Sequence, residues 1–168
     1  MKKGFTMIEL VFVIVILGIL ASLAVPKLAA TRDDAEAAKA AVEIKDAITQ
    51  LTTYYIVNGS YPKDATNGNT KINGEDVTTL DADKVKPYSP TIAEVLGRTN
   101  PWTACIKITP SNGSEDGTTP ANIKVAKKDT GTSSFCSAVR GTQAFKDWSK
   151  LTDGIQVGGS SIFKEQTN

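Results

Sequence analysis

Between Lys3 and Lys27 a single charged side chain, Glu9, interrupts an apolar run. A carboxylate in a membrane-spanning helix costs up to about 2.5–3.5 kcal/mol at its centre, and less near an end such as this. Something must offset that cost. A cut behind Gly4 would free an α-amine on Phe5, a cation with an unperturbed pKa of about 8, placed one helical turn before Glu9 on the same face. In a parallel bundle of copies offset by about one turn, roughly 6 Å, the amine of one subunit would meet Glu9 of the next. The chemistry this pattern supports is ion pairing between subunits.

Catalytic chemistry has little to work with. The 168-residue chain has no histidine, the side chain most used for proton transfer near neutral pH and the commonest metal ligand. No nucleophile–base pair or metal set stands out, which argues against an enzyme, an anchored exported one included. Cys105 and Cys136 lie 31 positions apart with no partner at metal-ligand spacing. They read as a bridge in an oxidising compartment, or otherwise as two buried thiols. Glu75, Asp76, Asp81 and Asp83 could offer oxygen ligands to Ca²⁺, but their spacing matches no binding loop, and a solvated connector is the simpler reading. Nineteen basic and 18 acidic residues nearly cancel at +1, so no global field favours nucleic acid. Lys124, Lys127 and Lys128, beside Asp129, read as a solvated strand end.

The element that positions Glu9 is a helix. Residues 10–25 are apolar apart from Gly18 and Ser22. Residues 5–25 would measure roughly 32 Å as a helix, against a hydrocarbon core of about 30 Å. Lys2 and Lys3 precede the span and belong on the cytoplasmic side, which sends everything after Pro26 across the membrane. A secretory signal with its exit at Ser22-Leu23-Ala24 and a plain anchor are the alternatives, and both leave Glu9 unexplained. Pro26 lacks an amide donor and kinks or opens a helix; Gly18 weakens the same stretch.

Beyond Pro26 the chain stays helix-prone to about Val57, with Ile44, Ile48, Leu51 and Tyr55 forming one stripe. Asp33, Glu36, Lys39, Glu43, Lys45 and Asp46 fall on other faces and read as solvated. Asn58-Gly59 suits a left-handed cap. The polar stretch 63–88 carries turn signals at Asn67-Gly68 and Asn73-Gly74 around β-prone pieces at 70–72 and 77–80. A short helix is expected over 91–96, with Thr91 and Glu94 at capping-box spacing and Gly97 closing it. Strands are expected over 102–109 and 121–127, a second helix over 142–151, and a terminal hairpin pairing 155–157 with 161–163. The expected fold class is α+β, a long N-terminal helix packed on a small antiparallel sheet.

At its N-terminus the sequence resembles the prepilins of type IV pili and the related pseudopilins of type II secretion. Lys2-Lys3-Gly4 looks like their basic leader ending in an obligatory glycine, and Phe5-Thr6-Met7-Ile8-Glu9-Leu10 like the start of the mature protein. The resemblance covers about residues 1–60 closely and is only architectural beyond them. It implies a leader of residues 1–4, an assembly half of the helix over 5–25, an amphipathic half over 26–57 and a head over 58–168. It implies cleavage between Gly4 and Phe5 by a prepilin peptidase, N-methylation of Phe5, Glu9 as the assembly glutamate, and Gly18 and Pro26 as the places where the helix loosens and kinks. It further implies a disulfide stapling the C-terminal region, an assembly platform in the bacterial inner membrane, other pilin copies as partners, and a periplasmic or surface filament. The cysteine pair and the long C-terminal region favour a structural subunit of a type IV pilus-like filament; the alternative is a major pseudopilin of type II secretion, which usually carries a shorter head with a calcium site.

Overall fold

The computed structural model describes residues 6–65, 69–114, 116 and 118–158. It is dominated by α1, Met7–Asn58, 52 residues and therefore about 78 Å long. Its start is fixed by Thr6 and its end by Gly59, which takes up φ 75° and donates its amide to Tyr55 O at 2.7 Å. The left-handed cap expected at Asn58-Gly59 is thus present. α1 continues unbroken across position 26.

The two halves of α1 have different surroundings. From Ala37 onward one stripe is buried, Ala37, Ala40, Ile44, Ala47, Ile48 and Leu51, at the three- and four-residue steps that keep one helical face inward. Three alanines in that stripe let neighbouring elements approach closely. Each fully buried Ile or Leu contributes about 1.5–3 kcal/mol. Tyr55, expected in the stripe, is half-buried, with its ring over Gly158: a Cβ there would meet Tyr55 Cε1 at 2.7 Å.

The head packs on this stripe through helices as well as strands. Its elements are α2 (Ala82–Val85), α3 (Pro90–Leu96), β1 (Ile106–Ser111), β2 (Ala121–Lys127), α4 (Ser134–Gly141), α5 (Gln143–Lys150) and β3 (Ile155–Gly158). The strands form one antiparallel sheet in the order β1-β2-β3, with Ile108 opposite Val125 and Ile123 opposite Ile155. β1 is an edge strand, which accommodates Pro110. The β1–β2 connection needs Gly113 at φ 74°, because a Cβ would run into the Thr119 carbonyl. α4, α3 and β3 contact α1, and one core gathers Ile44, Leu51, Ile92, Trp102, Ile123 and Val139. The α+β fold class holds.

Several local expectations are corrected. Residues 77–80 are not a strand: Val77–Thr79 is a 3-10 turn, because the Asp76 carboxylate accepts the Thr78 amide at 3.1 Å and its hydroxyl at 2.7 Å. Residues 70–72 are not a strand either. The Tyr88 hydroxyl takes both main-chain groups of Thr70, and the Ile72 amide goes to Pro62 O. The expected strand 102–109 divides into a 3-10 turn, Trp102–Ala104, and β1. α3 starts at Pro90 behind a Ser89 cap, leaving Thr91 to accept from Gln50 and Glu94 to pair with Arg98; Gly97 closes it right-handed, at φ −79°. α5 matches the expected helix, with Thr142 as its cap, whereas α2 and α4 were not anticipated. Asn67-Gly68 and the hairpin arm 161–163 lie outside the described residues.

Candidate functional site

The N-terminal half of α1 is the exposed apolar feature of the chain. Residues Met7–Val25 form a 19-residue stretch long and apolar enough to cross a membrane, with none of it buried. Leu10, Phe12, Ile16, Leu20 and Leu23 all face outward. Burying such a surface is strongly favourable.

Glu9 stands at the start of that surface and is not isolated. Its carboxylate accepts the Thr6 amide at 2.8 Å and the Thr6 hydroxyl at 2.6 Å, while the Glu9 amide returns to Thr6 Oγ1 at 3.4 Å. This is a reciprocal capping box, which satisfies two of the unpaired donors of the first turn. The pattern Thr-x-x-Glu at Thr6 and Glu9 is the signal for this cap in the sequence. Gly4 and Phe5 lie outside the described residues. Gly18 sits in regular, exposed helix with open space around it.

Cys105 and Cys136 form a disulfide with a Cα–Cα distance of 4.9 Å, buried between the start of β1 and α4. Arg140, one turn further along α4, makes a second tie to the same place. Its Nε and Nη2 donate to Cys105 O at 3.1 and 2.7 Å, Nη1 donates to Gly131 O at 2.7 Å, and Nη2 also reaches Lys128 O.

Two side chains read as solvated are structural. Glu43 is only 15% exposed and joins α1 to the head: it accepts from Arg98 Nη1 at 2.7 Å and from Trp102 Nε1 at 3.1 Å, with Lys39 at 3.7 Å. Glu43 first, and Glu94 second, hold the Arg98 guanidinium above its ordinary pKa. Lys128 is likewise drawn into the head, so the solvated strand end is confined to Lys124 and to Lys127, which lies 3.5 Å from Asp129. Glu43→Ala should therefore lower head stability by about 2 kcal/mol, the usual cost of stranding hydrogen bonds to a charged group. Glu36→Ala, which breaks an exposed pair with Arg32, should cost less than about 0.5 kcal/mol. Urea midpoints of the full-length chain in detergent would separate the two.

Three of the four carboxylates considered for calcium, Glu75, Asp76 and Asp81, are engaged elsewhere. Glu75 pairs with Lys71 at 3.0 Å and Asp81 with Lys84 at 2.8 Å, the latter contact lowering the aspartate and raising the lysine in pKa. Asp76 caps its 3-10 turn, accepts the Ile108 amide at 3.2 Å and faces Lys128. Among the described residues no group of three or more acidic or thiol side chains is placed to hold a metal ion.

A long helix, bare and apolar at one end and docked on a small antiparallel sheet at the other, is a pilin-like α+β architecture. Residues 1–25 match the prokaryotic N-terminal methylation motif. The chain is 44% identical over 61 residues to the Type II secretion system core protein G of Dickeya chrysanthemi, covering 36% of this chain and 40% of that protein. The corresponding protein of Escherichia coli K12 is 41% identical over 61 residues, 36% of this chain and 42% of that one. The Type IV major pilin protein PilE of Neisseria gonorrhoeae is 39% identical over 67 residues, 40% of each chain. The matches thus span about two fifths of these relatives and leave more than half of this chain outside them. No solved structure matches the chain.

Proposed function

We propose that the chain is a structural subunit of a type IV pilus-like filament. The observation that carries this reading is the division of α1: Met7–Val25 is wholly exposed, while the stripe from Ala37 to Leu51 is locked into the head. In a membrane the bare half is covered by lipid; in a filament it is covered by the same halves of other subunits, with heads outside. Prepilin peptidase cuts between Gly4 and Phe5, Phe5 is methylated, and an inner-membrane platform draws the helix out of lipid, with Gly18 and Pro26 as its soft points. The N-terminus is cytoplasmic and the head extracytoplasmic. The buried disulfide agrees with an oxidising compartment for the head.

A second reading, the major pseudopilin of a type II secretion system, is favoured by the several secretion core proteins G among the relatives. Mass spectrometry of filaments sheared from cells tests both. A mature chain beginning at methyl-Phe5, abundant in surface filaments, is the expected result. The same mature chain confined to the periplasm, with secretion lost on deletion, would select the pseudopilin. A chain beginning at Val25 would overturn both.

A further inference from the structure

We infer that residues 73–78 are a strap closing the open edge of the sheet, and that the edge beneath it, once released, pairs with β1 of a second copy of the chain. β1 stands at one end of the order β1-β2-β3, so β2 pairs with it on one side only. Alternate residues of an antiparallel strand turn their main-chain groups towards the partner and away from it. Cys105 O accepts the Lys128 amide at 3.0 Å, so 105 and every second residue after it face β2, while Ile106, Ile108, Pro110 and Asn112 face away.

The strap meets each of these in step. Thr78 Oγ1 donates to Ile106 O at 3.2 Å, and Asp76 Oδ1 accepts the Ile108 amide at 3.2 Å. The Gly74 amide donates to Pro110 O at 2.7 Å, and Asn73 Oδ1 accepts the Asn112 amide at 2.8 Å. Residues 73–78 thus run antiparallel to β1 as a fourth strand would, but Asn73, Asp76 and Thr78 make the bonds with side chains and Gly74 with its main chain. The strap is itself held. Gly74 takes φ 75°, Asp76 Oδ1 also accepts from Thr78 N and Oγ1, and Lys128 Nζ donates to Thr78 O at 3.4 Å and lies 3.5 Å from Asp76 Oδ2.

A bare strand edge is a template for another chain. Charge does not guard this one, since Lys107 is the sole charged residue of Ile106–Ser111, and Pro110 withholds an amide at one position only. The partner is a second copy because the edge complements itself. Two β1 strands, antiparallel and centred on Ile108, set Ile106 against Pro110 and Lys107 against Thr109, with no like charges opposed. The strap prevents that pairing, whether or not the chain polymerises.

The test follows amide hydrogen exchange of the full-length chain in detergent at low and high protein concentration, with sedimentation of the same samples. In wild type the Ile108 amide should exchange slowly at every concentration. In Asp76→Ala it should exchange about tenfold faster when dilute, as expected for losing a hydrogen bond to a charged acceptor. It should then slow again as concentration rises, with the sedimenting mass increasing in step. Asp76→Asn keeps an acceptor oxygen without the charge and should behave as wild type, which separates the strap from the Lys128 pair. Exchange in Asp76→Ala that matches wild type would overturn the strap, and fast exchange at every concentration would overturn the self-pairing edge. Should Asp76→Ala not fold, Asn73→Ala carries the same two readings at the Asn112 amide.

Discussion

Glu9→Leu should insert into the membrane and be processed normally, yet form no filaments. The isolated chain explains why insertion survives. In the unassembled protein Glu9 serves as the N3 partner of the Thr6 cap, and losing such a cap costs a helix about 1 kcal/mol. Replacing a carboxylate by leucine in an apolar helix returns at least as much. Assembly is different, because the bare Met7–Val25 surface must then be covered by like surfaces, with the carboxylate among them. With leucine in place of the carboxylate, the neighbour's Phe5 amine is left unpaired and register is lost; breaking a desolvated pair costs about 3–5 kcal/mol, a factor of roughly 100 to 1,000 or more in association.

Glu9→Gln separates the two roles. Its amide oxygen can still accept from the Thr6 amide, so the cap persists, but the charge is gone. If subunits are registered by charge, Gln fails as Leu does; if the cap alone matters, Gln assembles. Filament yield, measured beside the membrane-inserted, processed pool, gives the answer. Normal filaments from both variants would remove Glu9 from the assembly proposal.

The sequence spoke clearly where one periodicity ran long. The helix beyond position 26 and its buried Ile44, Ile48 and Leu51 could be read from spacing, because helical repeats accumulate over many turns; the bare end came from an unbroken apolar run and the cap from Asn58-Gly59, while the buried alanines Ala37, Ala40 and Ala47 gave no such signal. Strand β2 was legible for the same reason on a smaller scale. The misread pieces are short, and distant partners decide them. Residues 77–80 look β-prone in isolation, but the Asp76 carboxylate bonds the Thr78 and Ile108 amides and bends the chain into a turn. Glu43 and Lys128 were misread for another reason. Charged side chains on otherwise polar faces normally remain in water, and only the fold brings Arg98 and Trp102 to one, and two carbonyls to the other. At the candidate site the residue types and spacing are plain, and Glu9 serves two roles, a charge in an apolar run and the N3 partner of the Thr6 cap.

Reducing Cys105–Cys136 should lower head stability by about 3–4 kcal/mol without unfolding the head. The magnitude follows from loop closure, since the bridge joins residues 31 apart and restricts the unfolded chain accordingly. The head should survive because Arg140 holds the same two elements together, donating twice to Cys105 O from α4. The two ties are parallel, so their loss should not be additive. Arg140→Met in the oxidised protein should cost about 2–3 kcal/mol, because three carbonyls lose a charged donor while the covalent link keeps α4 near β1. Reduction and Arg140→Met together should release α4 from Cys105 altogether and expose Phe135 and Val139, both buried against α1 and the rest of the core. Guanidinium midpoints of wild type and Arg140→Met, each with and without reductant, complete a double-perturbation cycle. A combined loss larger than the sum of the separate ones supports parallel ties. Simple additivity would mean that Arg140 and the disulfide brace different things.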